Sequence, residues 1–181
     1  RPTYLKRPDL GRRLSDDSRA ALSPHAPSDG GAYDAVLVIA DGLSALAVHR
    51  HAAPLVIRVA GALQGLGWHL APIVVVRQGR VAVADEIGSL LRARQAAILI
   101  GERPGLSVAD SLGVYLTYDP RPGCTDAERN CISNIHAHGQ SYAAASQTLL
   151  YLMSEARRLK LSGVALKDER AERDGPTVLP G

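Results

Sequence analysis

The chain has 181 residues, 46% of them apolar, which is enough to bury one substantial core and too few for two typical domains. Its 21 Lys and Arg against 18 Asp and Glu leave a net charge of only +3, and it holds no Phe, one Trp and six Tyr. Neither a basic face nor a row of stacking aromatics therefore argues for nucleic acid. Two cysteines, Cys124 and Cys131, offer no Cys-x-x-Cys pair to complete a metal site and suit a reducing cytoplasm, and no apolar run reaches membrane-spanning length. The first residues carry neither a signal-peptide core nor an initiating Met, so the sequence is expected to lack its natural front.

Residues 1–30 read as an N-terminal arm and linker: Arg7 to Leu14 suits a short helical arm, and the Ser, Pro and Gly between Ser23 and Gly31 suit a loose connection. Residues 31–166 read as one α/β domain. Four short apolar runs mark its strands: Ala35 to Ala40, Ala71 to Val76, Ala96 to Ile100 and Val114 to Tyr118. The first three are rich in Val and Ile and lack alternation, as parallel strands covered on both faces do.

Between the first two runs, Leu55, Val56, Val59, Leu63 and Leu66 repeat at helical spacing, with Pro54 expected in the first turn and Gly65 and Gly67 at the end. A second crossover helix is expected from Ala84 to Arg94, with Ile87, Leu90 and Leu91 on one face and Asp85 and Glu86 near its positive end. From about Gln140 to Leu161 a long helix packs Leu149, Leu150, Leu152, Met153 and Leu159 and stops at Ser162-Gly163. Residues 167–181, charged and poor in apolar side chains, read as a disordered tail. The expected fold is thus α/β: a doubly wound, mostly parallel sheet, flavodoxin/Rossmann-like, with an N-terminal helical arm and a long C-terminal helix.

In such sheets ligands bind outside the carboxyl ends of the strands. The segments expected there are Asp41 to Ser44, Arg77 to Val81, Gly101 to Leu106 and Asp119 to Asn134. Asp41 and Ser44 serve equally as helix caps or ligand contacts. Gly79 and Gly105 suit a positive-φ turn or the close approach of backbone to a bulky ligand. Glu102, leaving a buried strand, needs a partner, either Arg103 next door or a ligand.

Cys131 reads first as a small apolar residue, with His136 and His138 near enough in sequence to keep a nucleophile open. His49 and His51, two apart, do not share a helix face. Arg12 and Arg13 with Arg77 and Arg80, or Arg121 with Arg129, suit either a phosphate or a solvated face. There is no P-loop and no Gly-x-Gly-x-x-Gly after the first strand, so an ordinary nucleotide cofactor is not supported.

Taken in order, five blocks carry more than their parts: Arg7-Pro8-Asp9-Leu10-Gly11-Arg12-Arg13-Leu14, Asp41-Gly42-Leu43-Ser44, Val76-Arg77-Gln78-Gly79-Arg80-Val81, Ile100-Gly101-Glu102-Arg103-Pro104-Gly105-Leu106-Ser107 and Cys131-Ile132-Ser133-Asn134-Ile135-His136. Through them the chain resembles the small subunits of ethanolamine ammonia-lyase, from about Arg7 to Leu166. The resemblance implies a subunit that binds adenosylcobalamin at its interface with a catalytic TIM-barrel large subunit. The pair would deaminate ethanolamine by radical chemistry to acetaldehyde and ammonia, a carbon–nitrogen lyase reaction that this chain does not perform alone.

The same resemblance implies cofactor contacts at Val81, Glu102 and Cys131, no catalytic residue and no metal ligand in this chain, and a place in the cytoplasm within a bacterial microcompartment. A corrin presents amide side chains around an apolar disc. Val81 would therefore offer backbone and a packing face, Glu102 would accept hydrogen bonds, and Cys131 would pack or bond weakly. No Asp-x-His-x-x-Gly motif is present, in keeping with a family that leaves the cofactor's own dimethylbenzimidazole as lower ligand. Two places depart from the family pattern: Ala137 to Ser141, where a Gly-Thr-Pro-Pro turn is expected, and Cys124. Read from the residues without the family, the alternative is a flavodoxin-like regulatory or small-ligand-binding module without enzymatic activity, whose loops hold a smaller anion.

Overall fold

A computed structural model describes residues 2–103 and 108–167. Its regular elements are α1 (Pro2–Lys6), α2 (Asp16–Leu22), β1 (Val36–Ala40), α3 (Ala45–Gly65), β2 (Val74–Val76), α4 (Val83–Leu90), β3 (Gln95–Glu102), β4 (Ser111–Tyr118), β5 (Arg129–Ile135) and α5 (Tyr142–Leu159), joined by short 3₁₀ turns. The strands form one sheet in the order β2-β1-β3-β4-β5. On one face, Leu37, Leu99, Val114 and Leu116 pack with Leu55, Val59 and Leu63 of α3 and Leu149, Leu152 and Met153 of α5. On the other, Val36, Val38, Ala96 and Ile98 pack with Val83, Ala84 and Ile87 of α4. Helices on both faces of a central sheet bear out the α/β expectation.

The sheet is mixed rather than mostly parallel. β1 lies parallel to β2 and β3, whereas β4 is antiparallel to both β3 and β5. Connection length is the cause: α3 and α4 give the first strands their long crossovers, but residues 103–110 between β3 and β4 are too few for a parallel return. All of β5 but its last residue lies in the stretch from Asp119 to Asn134, where no strand was expected. Its Arg, Asn, Cys and Ser leave only two Ile to signal a strand, a composition that suits the polar edge position it occupies.

α3 begins well before the expected point, and Pro54 falls inside it rather than in its first turn. The buried stripe explains why the helix runs through the proline. Ala47, His51 and Ala52 extend the face of Leu55, Val56, Val59 and Leu63 backwards by two turns, so burial outweighs one missing N–H. Ser44 caps the helix, its Oγ accepting the Ala47 N–H at 3.2 Å. Ahead of the cap the chain turns at Gly42, whose φ of +51° favours glycine, and Leu43 donates its N–H to the Gly101 carbonyl at 2.8 Å. Gly101 has no space for a side chain, since a Cβ there would collide with the Ser44 carbonyl.

The arm is fastened to the domain. Tyr4 is 3% exposed, donates its hydroxyl to the Gly79 carbonyl at 3.3 Å and carries the Arg80 guanidinium 4.2 Å above its ring. The Arg80 N–H donates to the Gly11 carbonyl at 2.7 Å, and Glu86 on α4 accepts from Arg19 and the Leu14 N–H. The expected tail beyond residue 167 lies outside the described residues, as does Gly105. No described helix is long and apolar enough to cross a membrane.

Candidate functional site

Strand alternation sends Ala96, Ile98, Ile100 and Glu102 of β3 to the α4 side of the sheet. In the antiparallel register Ile98 faces Tyr115, Ile100 faces Gly113, and Glu102 faces Ser111; across the next ladder Tyr115 faces Cys131. Glu102, Gly113, Tyr115 and Cys131 therefore share one side of three adjoining strands.

α4 is too short to cover them. Its eight residues rise about 12 Å, whereas the eight residues of β3 run about 26 Å. The helix lies over the opposite end of the sheet: a Cβ on Gly88 would strike Pro120 and approach Ala96, and Asp85 is bound to Arg129 at the start of β5. Beyond the start of α4 the same side of the sheet carries a ledge on which Cys131 is exposed and Glu102 and Tyr115 are half-buried.

On this ledge the Tyr115 hydroxyl donates to Oε1 of Glu102 at 2.6 Å. The carboxylate lies flat over Gly113, where an added Cβ would come within 2.6 to 2.9 Å of its three terminal atoms. Burial and then the hydrogen bond to Glu102 push the Tyr115 phenol far above its ordinary range, so it stays a donor at any physiological pH. Cys131 is exposed. Its thiol is nevertheless pushed up, first by the protein crowded around it and then by the charge of Glu102, with the Tyr115 hydroxyl pulling the other way. A thiol held protonated is a packing group and weak donor rather than a nucleophile.

The structure thus brings Glu102 and Cys131 together through Tyr115. Val81 stands apart from that contact but on the same side: half-buried, it leads into α4 and packs against the same apolar cluster that Tyr115 joins. Of the three sequence-selected positions only Val81 lies in a loop beyond a strand. Glu102 is the last residue of β3, which runs past its apolar run to Ile100, and Cys131 is the third of β5, a strand the sequence did not lead one to expect. The loop bearing Val81 is held from several sides. Asp41 accepts the Gln78 N–H at 2.6 Å, at a residue whose φ is +57°, and Tyr4 and Gly11 grip Gly79 and Arg80.

The remaining candidates have other employment. Ser44 caps α3 and donates to the Ala109 carbonyl at 2.6 Å. His51 is buried between Tyr142 and Asp110, its ring nitrogens 2.7 and 3.2 Å from them, and Arg50 reaches the same Asp110 oxygen at 2.7 Å. His136 pairs with Asn134 at 2.7 Å. Arg121 pairs with Asp119 and Glu128, and Arg129 with Asp85, so these two arginines do not form an anion site together. Arg12 and Arg13 line a cleft with Arg19, Ala82 and the turn at Pro122 to Cys124. Tyr115 and Gly113 were not singled out by the sequence. Their signal is a register, which places them across from Glu102 only once β4 is known to turn back.

Residues 1–167 match the family described as "Ethanolamine ammonia-lyase light chain (EutC)". Among curated relatives, an "Ethanolamine ammonia-lyase small subunit" of Pseudomonas fluorescens is 57% identical over 185 residues, covering all of this chain and 67% of its own length. Another so named, of Ralstonia nicotianae, is 61% identical over 168 residues, 93% of this chain and 62% of its own length. A third, of Azotobacter vinelandii, is 59% identical over 183 residues, all of this chain and 68% of its own length. The chain therefore spans about two thirds of the length of the relatives it matches.

Proposed function

This chain belongs to the ethanolamine ammonia-lyase light-chain family, and from that premise we propose that it supplies one face of an adenosylcobalamin site completed by a large catalytic subunit. When bound, that cofactor supplies the radical chemistry by which the assembled enzyme would deaminate ethanolamine to acetaldehyde and ammonia. The chain's own share is to bind, orient and exclude water.

The observation that carries the reading is the ledge itself: a half-buried carboxylate and phenol and an exposed thiol lie together on one side of the sheet, with Val81 packed against the same apolar cluster as the phenol. A corrin is a broad apolar disc edged by amide donors, and such a ligand fits a flat surface that offers an acceptor and small packing groups. The Glu102 carboxylate is the acceptor, the glycine beneath it keeps the surface low, and the thiol adds an apolar contact. A small anion, as in the flavodoxin-like alternative, would face the negative charge of Glu102. Leu43 and Leu46, around the start of α3, are exposed beside the carboxyl end of β1, apolar surface that a partner would cover. The location in a bacterial microcompartment rests on the family resemblance alone.

The reading is tested by mixing the purified chain with a large subunit of the same enzyme and adding adenosylcobalamin. Ethanolamine-dependent release of acetaldehyde should require both chains and the cofactor. A folded pair that releases none, or activity that does not need this chain, overturns it.

A further inference from the structure

The cofactor reading leaves open why Glu102, a single carboxylate at the end of a strand, should point one way rather than sweep across the ledge as a free glutamate does. Two neighbours on β4 fix it. Gly113 lies directly beneath: the space where its Cβ would be is filled by the Glu102 carboxyl group, with Oε1, Cδ and Oε2 at 2.6, 2.7 and 2.9 Å from that point. Any side chain at position 113 would lift the carboxylate off the sheet. Beside it, the Tyr115 hydroxyl donates to Oε1 at 2.6 Å, while among the described residues no donor reaches Oε2. One oxygen is therefore engaged within the chain, and among the described residues the other accepts no hydrogen bond.

We propose that Gly113 and Tyr115 are positioning residues that make Glu102 a one-sided acceptor, with Oε2 aimed at an amide N–H or hydroxyl at the rim of the bound cofactor. The inference deepens the cobalamin reading and rests on it. Tyr115 serves only as a donor here, because the phenol remains protonated across the physiological range. The alternative, that Tyr115 merely fills space, is separable because phenylalanine keeps the ring and loses only the hydroxyl. Gly113→Ala is equally informative: the group its methyl meets is the far end of a flexible side chain, so the carboxylate moves and the sheet remains.

The test is the affinity of the assembled two-subunit complex for cyanocobalamin, measured by equilibrium dialysis, with the melting temperature of each variant taken alongside. Glu102→Ala should weaken binding by about tenfold or more, as expected for losing a hydrogen bond to a charged group. Tyr115→Phe and Gly113→Ala should each weaken it by roughly tenfold on the same grounds with little change in melting temperature. Neither should add to the loss already caused by Glu102→Ala. If Glu102→Ala weakens binding while both β4 variants bind like the parent, the positioning role is wrong and the cobalamin reading stands. The same holds if Tyr115→Phe costs as much in the Glu102→Ala background as alone. If Glu102→Ala itself leaves affinity unchanged, the assignment beneath the proposal is overturned and the proposal falls with it.

Discussion

Arg129 meets Asp85 in a two-point ion pair, with Nη1 and Nη2 each 2.6 to 2.7 Å from a different carboxylate oxygen and both side chains almost wholly out of water. The second N–H of each Nη is directed too, Nη1 to the Thr117 hydroxyl at 2.9 Å and Nη2 to the Cys124 carbonyl at 2.8 Å, while Nε lies 3.6 Å from Asp126 without a hydrogen bond. The pair ties the edge strand β5 to α4, and so holds the strip of sheet that carries Cys131. Removing one partner leaves an unmatched charge in the interior. Asp85→Ala is expected to lose about 3–5 kcal/mol of stability, measured by urea unfolding, whereas replacing both residues by apolar side chains of similar volume should cost much less. Equal losses in the single and double variants would mean that the ion pair is not what couples the two elements.

The Asp110 carboxyl is held below the usual carboxylate range, chiefly by its hydrogen bond from Arg50 and then by His51. A pKa lowered by folding contributes stability that is fully present above the unfolded value, about 3.9. That contribution is lost as pH falls through the lower folded value. The melting temperature of the parent chain should therefore drop on acidification below about pH 4, with a shallower drop in Asp110→Asn. A variant with the same acid dependence as the parent would place the titrating group elsewhere.

Cys131 should alkylate slowly for an exposed cysteine, because its thiol is pushed up and only the thiolate reacts. In a Cys124→Ser background at pH 8, iodoacetamide should consume Cys131 more slowly than it consumes a cysteine in a short peptide. A peptide-like rate would contradict the account of the ledge.

Tyr4 and Gly11 hold the segment that carries Val81 from outside the domain core. Tyr4→Ala should release about 1–3 kcal/mol of local packing. The effect should appear as faster amide exchange at residues 79–83 while β1 and β3 keep their protection. Uniformly faster exchange would show instead that the arm is part of the global folding unit.

Much of the architecture is readable from periodicity. The Val- and Ile-rich run at Val36 to Ala40 reads as a strand covered on both faces, and Leu55, Val59 and Leu63 as the inward stripe of a helix. What escapes is whatever depends on pairing. Arg129 to Ile135 has no apolar run because it is an edge strand with a polar outer row, and the return of β4 follows from the shortness of residues 103–110 rather than from its own composition. Glu102 and Cys131 could be selected because the family resemblance marks their positions. Tyr115 and Gly113 could not, since their bearing on Glu102 exists only across a ladder.

Just ahead of Val83, the first residue of α4, the chain is clamped, Gln78 by Asp41, Gly79 by Tyr4 and Arg80 by Gly11. A further turn of about 5 Å at that end would have to break those contacts. The amino-terminal arm thus acts as a stop that fixes where α4 begins, although Tyr4 lies 75 residues from Gly79 along the sequence.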